Sequence, residues 1–459
     1  MIHIWFTLRA DDHRVAAGFG RLLLVLASGV AAFWAARRPH WRGGVAKYFC
    51  GIDWSEGLND VAVVDRAGEV VAAARVEESP EGIKELLQLL RGLSRSHRHS
   101  RKQVPIAIET SRGLLVGALR ASGQQVVALN PSVVARYRGR LNPTKKKSDR
   151  TDAALLANIL RTDGALHRAL FTNSDEAAAI TVLARAQLRA VRTRDYHRAQ
   201  LRSHLRDYFP AALEAWSGLP HGLVRAEARA VLALAPTPEQ AAALSKRKIA
   251  DTLEAAGRFR LVDDHAERLR AVFRENRLRQ PARIEEAMGR QTLAALALLD
   301  QACRSADALT EQTTTAFLAH PHAEIYRSFP GCGPVIGARL LGEIGDDPDR
   351  FATARGLRAY AGAAPLTWAS GSSSSVTFRR VANQNLKAVG YVWAFTTLTR
   401  SPGCRAHYDR RREVGDPYRS ALRNLYGRLL SSLHYCLRTG EPYRERKAFP
   451  KALQEGADG

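Results

Sequence analysis

Cysteine is scarce in this chain and shows no pattern. Cys50, Cys303, Cys332, Cys404 and Cys436 are odd in number and nowhere spaced Cys-x-x-Cys, which excludes a disulfide framework and a cysteine-built zinc site and fits a reducing, cytoplasmic setting. Long hydrophobic runs are missing too. The stretch Leu22 to Ala36 (LLLVLASGVAAFWAA) is apolar, but Arg21 and the Arg37-Arg38 pair confine it, and a membrane helix wants about 20 apolar residues. No membrane partner is expected. Residues 1–45 read as an extension, non-native or disordered: residues 1 to 44 as upstream sequence translated from a start set too early, with Val45, just ahead of a strong strand, as the true start if its codon is GTG. Negative charge is in deficit. Against 69 Lys and Arg stand 45 Asp and Glu, a formal net charge of +24, with Arg well in excess of Lys. Such an excess suits a polyanionic partner, because each phosphate contact releases condensed counterions. The plainer reading is a surface kept soluble by charge.

At 459 residues the chain is long enough for two or three domains with cores of their own. From Ala46, three apolar runs (KYFCGIDW, NDVAVVD, EVVAAARVE) are split by the turn residues Glu56-Gly57 and Ala67-Gly68, which predicts an antiparallel meander. An amphipathic helix follows from about Pro80 to Ser94, then a buried strand VPIAIE, a helix from about Ser111 to Ser122, a strand QVVAL and a helix opening at Pro131. That order is the order of the α/β ribonuclease-H fold, and it is assigned to residues 46–170. Residues 171–320 show a helical pattern without strand-like alternation. Ile180, Ala184, Leu188, Val191, Leu201, Leu205 and Tyr208 recur at three- and four-residue steps, interrupted at Asp195 and Arg198, so a long helix with one apolar stripe is expected. The stripe packs within a helical bundle or forms a coiled coil between two protomers. A third, mostly helical domain, 321–445 with a tail 446–459, opens SFPGCGPVIGARLLGEIGD. Its Gly331-x-Gly333 turn resembles a helix-hairpin-helix, in which glycines let the backbone approach a phosphate and the next helix offers free N–H groups; a purely structural turn is the plainer reading.

The acidic residues carry the chemistry. Asp53 closes the first strand (GIDWS) and Glu109 the fourth (IAIET); those strands are neighbours in the ribonuclease-H topology, so both carboxylates would enter one cleft. A carboxylate ending a buried apolar run is costly without a counter-charge, which a divalent cation supplies; singly, either residue also reads as a turn or cap. In KKKSDRTDAALLANIL, Asp149 and Asp152 are three apart at a helix start, on one face. Four carboxylates from two strand ends and a helix can hold two Mg²⁺ (or Mn²⁺) ions about 3.5–4 Å apart for phosphoryl transfer. Lys145, Lys146 and Lys147 precede them, suiting a loop on a nucleic-acid backbone or a solvated charge run.

On these residues the chain resembles the insertion-sequence transposases of the IS-one-ten and IS-eleven-eleven group, whose N-terminal DEDD domain is similar to the RuvC resolvase. GIDWS, IAIET, VVALNPSVVARYR and KSDRTDA stand in the family's order over about Lys47 to Leu166, and a C-terminal transposase domain matches over about Ile325 to Ser401. The resemblance implies that Asp53, Glu109, Asp149 and Asp152 are the four DEDD residues. In LRAYAGAAPLTWASG, Ser370 takes the place of the family's serine nucleophile, which implies a covalent phosphoserine link to DNA; the run Ser372 to Ser375 leaves the choice of serine open, and a flexible serine-rich loop is the alternative. The resemblance also implies a homo-oligomer acting on DNA at the element ends and target, guided by an RNA of the element, in the nucleoid-associated cytoplasm. Arg379 and Arg380 are candidate phosphate contacts, and Asn383 to Leu386 is similar to a Gly-Asn-x-x-Leu segment of relatives.

A serine hydroxyl is a weak nucleophile at neutral pH and needs a base or metal, so the acidic domain and the serine would have to meet around one phosphate, within one protomer or between two. Two other readings compete: a metal-dependent nuclease or junction resolvase using water, and a catalytically inactive nucleic-acid-binding derivative. Actin-like ATPases also open with an acid in the first strand, but their Gly-rich phosphate loops are missing.

Overall fold

The computed structural model describes residues 46–93, 104–141, 149–370, 373–377 and 379–450. The expectations placed on the N-terminal extension, on Lys145, Lys146 and Lys147, and on the chain after Pro450 lie outside these residues. For Asp149 and Ser370 the backbone alone is described. The chain divides between Thr172 and Asn173 into two compact units.

In the first unit, β1 (Phe49–Asp53), β2 (Leu58–Val64) and β3 (Val70–Glu77) form the expected antiparallel meander, and β4 (Ile106–Ile108) and β5 (Val126–Ala128) add in parallel beside β1. The strand order is β3-β2-β1-β4-β5, a mixed sheet consistent with the ribonuclease-H topology. Alternate residues of β1 feed different cores. Cys50 and Ile52 pack with Leu86 and Leu90 of α1 (Pro80–Gly92) and Leu115 and Leu119 of α2 (Leu114–Ala121). Phe49 packs on the other face with Val134 of α3 (Pro131–Leu141) and with Leu155, Leu156 and Ile159 of α4 (Asp149–Asp163). Covered on both faces, β1 and β4 read as continuous apolar runs. Gly51 lets α4 cross directly over β1, since a Cβ there would lie 2.0 Å from the Ala153 carbonyl oxygen and 2.6 Å from the Ala157 nitrogen.

The second unit is largely helical. Two long helices, α5 (Asp175–Tyr208) and, after a run of short helices, α11 (Ala282–Leu318), run antiparallel: Gln187 bonds Thr310 at 3.0 Å, whereas His204 meets the Met288 carbonyl at 2.9 Å and Tyr208 reaches Thr292. The intervening helices are α6 (Pro210–Ala215), α7 (Ala226–Leu234), α8 (Pro238–Ala243), α9 (Lys246–Ala255) and α10 (Val262–Arg274). Leu201, Leu205 and Tyr208 of the α5 stripe belong to the core they form, whereas Ile180 belongs to the C-terminal core. The stripe is thus buried within the chain at both ends. Between Gln187 and Leu201 no residue of α5 is buried.

The C-terminal helices are α12 (Ala323–Arg327), α13 (Pro334–Ile344), α14 (Ala354–Tyr360), α15 (Gln384–Thr397), α16 (Pro402–Glu413), α17 (Tyr418–Thr439) and α18 (Glu445–Ala448), gathered around Tyr326, Trp393 and Tyr426. Ala448 and Phe449 are buried in the same core. A hairpin of β6 (Leu366–Ser370) and β7 (Ser373–Thr377) interrupts the helices; Ser373, Ser374 and Ser375, for which a flexible loop was the alternative reading, belong to one of its strands. Among the described residues no helix is long and apolar enough to cross a membrane.

Candidate active site

Ile52 of β1 pairs with Ile108 of β4 in parallel register. The next residue of each chain segment is a carboxylate, so Asp53 and Glu109, both half-buried, leave the sheet at the same edge. The course of α4 brings its start to that edge as well. Its later residue Arg161 bonds the Arg66 carbonyl at 3.2 Å and lies against Gly68 in the β2–β3 turn, which sits at the beginning of β1 because β2 is antiparallel to it. Helix α4 therefore runs opposite to β1, and the turn containing Asp149 and Asp152 lies toward the end of β1 that carries Asp53.

Asp152 is 5% exposed. Its Oδ1 accepts a hydrogen bond from Arg138 Nε of α3 at 3.0 Å, while Oδ2 is buried with no hydrogen-bond partner among the described residues. A buried anionic oxygen without a partner is costly, on the order of 1–3 kcal/mol or more, and a cation would satisfy it. The donor set, carboxylate oxygens only, is the hard-oxygen type that Mg²⁺ or Mn²⁺ takes. Among the described residues no group of three His, Cys, Asp or Glu side chains stands close enough to form a ready metal cage, so the backbone brings the acids to one end of the sheet without a preformed cluster on view.

Two groups at this edge escaped the sequence reading. Asp60 lies opposite Asp53 in the β1–β2 register and pairs with the exposed Arg75 at 3.3 Å; the alternation of NDVAVVD was the only signal. Arg138 sits in another helix than Asp152, fourteen residues earlier, and no local pattern links the two.

In the second unit Ser370 ends β6 and is paired with Ser373 at the start of β7; Gly371 and Ser372 lie outside the described residues. Beyond β7 come Arg379, half-buried with its Nε unpartnered among the described residues, and the exposed Arg380. Asn383 then anchors the segment. Its side chain caps α15 by accepting from the Leu386 N–H at 2.9 Å and donates to Glu343 at 2.7 Å and to the Tyr360 hydroxyl at 2.8 Å. Glu343 of α13, 5% exposed, also receives both arms of Arg185 at 2.8 Å and Asn385 at 3.1 Å. Burial pushes its carboxyl up, but the hydrogen bonds and charge of Arg185, with Asn383 and Asn385, outweigh burial and hold it below the usual carboxylate range. This node explains the NQNL resemblance as a structural anchor beside the serine hairpin. Gly331, at φ +68°, is seated against Thr396 of α15, where a Cβ would lie 2.7 Å from the hydroxyl oxygen, and the exposed Gly333 precedes α13.

Comparison with known proteins places these elements. A model of a DEDD transposase domain matches residues 50–210, and a model described as "Transposase IS116/IS110/IS902 family" matches residues 323–409. The chain is 48% identical over 409 residues to the mini-circle putative transposase for IS117 of Streptomyces coelicolor, covering 89% of this chain and 98% of that protein. It is 31% identical over 336 residues to the insertion element IS110 uncharacterized 43.6 kDa protein of the same organism, covering 70% and 78%. To the insertion element IS900 uncharacterized 42 kDa protein of Mycobacterium paratuberculosis it is 28% identical over 437 residues, covering 88% and 97%.

Proposed function

The chain belongs to the IS110 family of insertion-sequence transposases, and from that premise we propose that it cuts and rejoins DNA with the carboxylates at the edge of the β-sheet and a serine of the β6–β7 hairpin. The observation that carries this reading is the shared edge: Asp53 and Glu109 directly follow the paired Ile52 and Ile108, and Asp152, one oxygen of which has no partner among the described residues, stands on the helix that crosses the same strand. Asp53, Glu109, Asp149 and Asp152 would hold Mg²⁺ or Mn²⁺. Such an ion, when bound, supplies Lewis-acid stabilisation of the negative charge on phosphate oxygens.

Ser370 is the nucleophile in this proposal. Its Oγ attacks phosphorus and gives its proton to a general base or to water, a Ser–O–P bond forms as the bond to one DNA oxygen breaks, and that oxygen takes up a proton and leaves as a free DNA hydroxyl, the attacking group when the strand is rejoined. The phosphoserine link keeps the bond energy needed for rejoining. Arg379, Arg380, Lys145, Lys146 and Lys147 serve as phosphate contacts, as do the Gly331-Gly333 turn and the start of α13, used in the manner of a helix-hairpin-helix. A guide RNA of the element and assembly of this chain into a homo-oligomer complete the proposal; the α5 stripe, buried within the chain's own cores at both ends, is not the seam of that assembly.

Its test is trapping. Protein incubated with Mg²⁺, cognate RNA and element-end DNA should give a denaturant-stable protein–DNA adduct that both Ser370→Ala and Asp53→Ala abolish. Cutting that persists in Ser370→Ala would point to a water-using nuclease, and an adduct indifferent to Asp53→Ala would contradict the metal half.

A further inference from the structure

A cavity of about 400 Å³, within the range of ligand pockets, opens beside the middle of α5. Arg194, Asp195, Arg198 and Arg202 of that helix line it, together with Trp216 and His221 from the segment after α6. We propose that this cleft takes the phosphodiester backbone of a single nucleic-acid strand. The claim deepens the nucleic-acid reading above and rests on it.

Three observations support it. First, the polar groups facing the cleft are mostly donors. Arginine guanidinium groups and an indole N–H have hydrogen to give and no acceptor capacity, and Asp195, already 3.4 Å from Arg194, is the lone carboxylate among the lining residues. Such a set calls for an acceptor-rich anion. Second, donors there are buried and unused. Trp216 is 2% exposed, yet its Nε1 has no hydrogen-bond partner among the described residues, and neither does Arg194 Nε. An unsatisfied buried donor is costly, and a small side-chain movement that opens it to the cleft would let a phosphate oxygen satisfy it. Third, the arginines extend along the helix. Arg194, Arg198 and Arg202 recur at four-residue steps, so they climb about 6 Å per step. A lone phosphate ion cannot touch all three, whereas successive phosphates of an extended strand can. Arg194 and Arg198 also lie in the stretch of α5 between Gln187 and Leu201 in which no residue is fully buried. At the rim, His221 adopts φ +69°, a left-handed conformation that costs a non-glycine residue energy.

The test uses the full chain and fluorescence anisotropy with a fluorescein-labelled mixed-sequence RNA strand and its DNA counterpart. Arg198 and Arg202 are exposed, so their removal spares the fold. Arg198→Ala/Arg202→Ala should weaken strand binding roughly tenfold and flatten the slope of log K against log salt by about 1.4, the value for two lost single-strand phosphate contacts. Trp216→Phe, which keeps a ring and removes the N–H, should weaken binding severalfold. Arg247→Ala/Lys248→Ala on α9, an equal charge loss on an exposed surface, should leave affinity within about twofold. Equal weakening by the control pair would overturn the proposal in favour of diffuse charge. Inorganic phosphate that binds wild type but not the Arg198/Arg202 variant, with strand affinity unchanged between them, would assign the cleft to a free anion and overturn it too. Because the readout is binding, at residues remote in sequence from the four acids, failure here leaves the catalytic proposal standing.

Discussion

Asp152 is asked to do two opposed things. Its side chain is buried, which penalises charge, and its two oxygens are treated unequally: one faces Arg138 and the other has no partner among the described residues. Under the proposed metal role, the side chain tolerates this tension until an ion arrives. Asp152→Asn takes the counter-charge from the part-exposed Arg138 and should cost about 1 kcal/mol of metal-free stability, and it should remove the rise in melting temperature, worth about 1–3 kcal/mol, expected when Mg²⁺ binds the wild type. Thermal denaturation with and without Mg²⁺ reads both. Glu343 is the opposite case, a buried carboxylate with every partner in place. Its pKa is lowered in the fold from an ordinary 4.5, so its contribution to stability is fully present above about pH 4.5 and is lost as pH falls below that toward the folded value. Glu343→Gln should cost about 2–3 kcal/mol at pH 7, because Arg185 keeps its charge and loses its counter-charge, and should flatten the acid limb of the stability profile measured by urea denaturation. A wild-type profile flat from pH 6 to pH 3 would contradict this role.

At the scale of elements, the position of α4 on β1 sets where the acids stand. Gly51 is the contact that permits it, and a methyl group there meets helix backbone that cannot swing aside. Gly51→Ala should destabilise the fold by about 1–3 kcal/mol and depress activity although no carboxylate is altered; unchanged stability in chemical denaturation would show that α4 does not rest there. The meander and the parallel strands were legible in the sequence, since buried strands declare themselves as short apolar runs between turn residues. The placement of Asp53 and Glu109 at strand ends was legible for a related reason, since acids that close such runs stand out, and that of Asp152 at a helix start was legible from its three-residue spacing from Asp149. The β6–β7 hairpin was not, because Ser373, Ser374 and Ser375 have neither apolar alternation nor strong strand preference. The Arg138–Asp152 pair and the Glu343 node were equally invisible. Each joins polar residues from separate helices, and polar residues in a helical sequence look like solvated surface until the helices are packed.

At the scale of the molecule, the excess of positive charge and the two matched transposase regions describe one enzyme of DNA in two compact units. The long helix α5 serves two cores at its ends and carries an arginine-bearing middle in which no residue between Gln187 and Leu201 is fully buried, a division that the apolar stripe alone did not reveal. Every catalytic statement about the whole chain depends on divalent ions lodging at the β1–β4 edge. The most direct measurement is Mn²⁺ binding to the full chain, followed by electron paramagnetic resonance and compared with Asp53→Ala at equal concentration. The account predicts saturable Mn²⁺ binding to the wild type, competed by Mg²⁺ and lost in Asp53→Ala with the far-ultraviolet circular dichroism unchanged. Equal Mn²⁺ binding by the two proteins would contradict it.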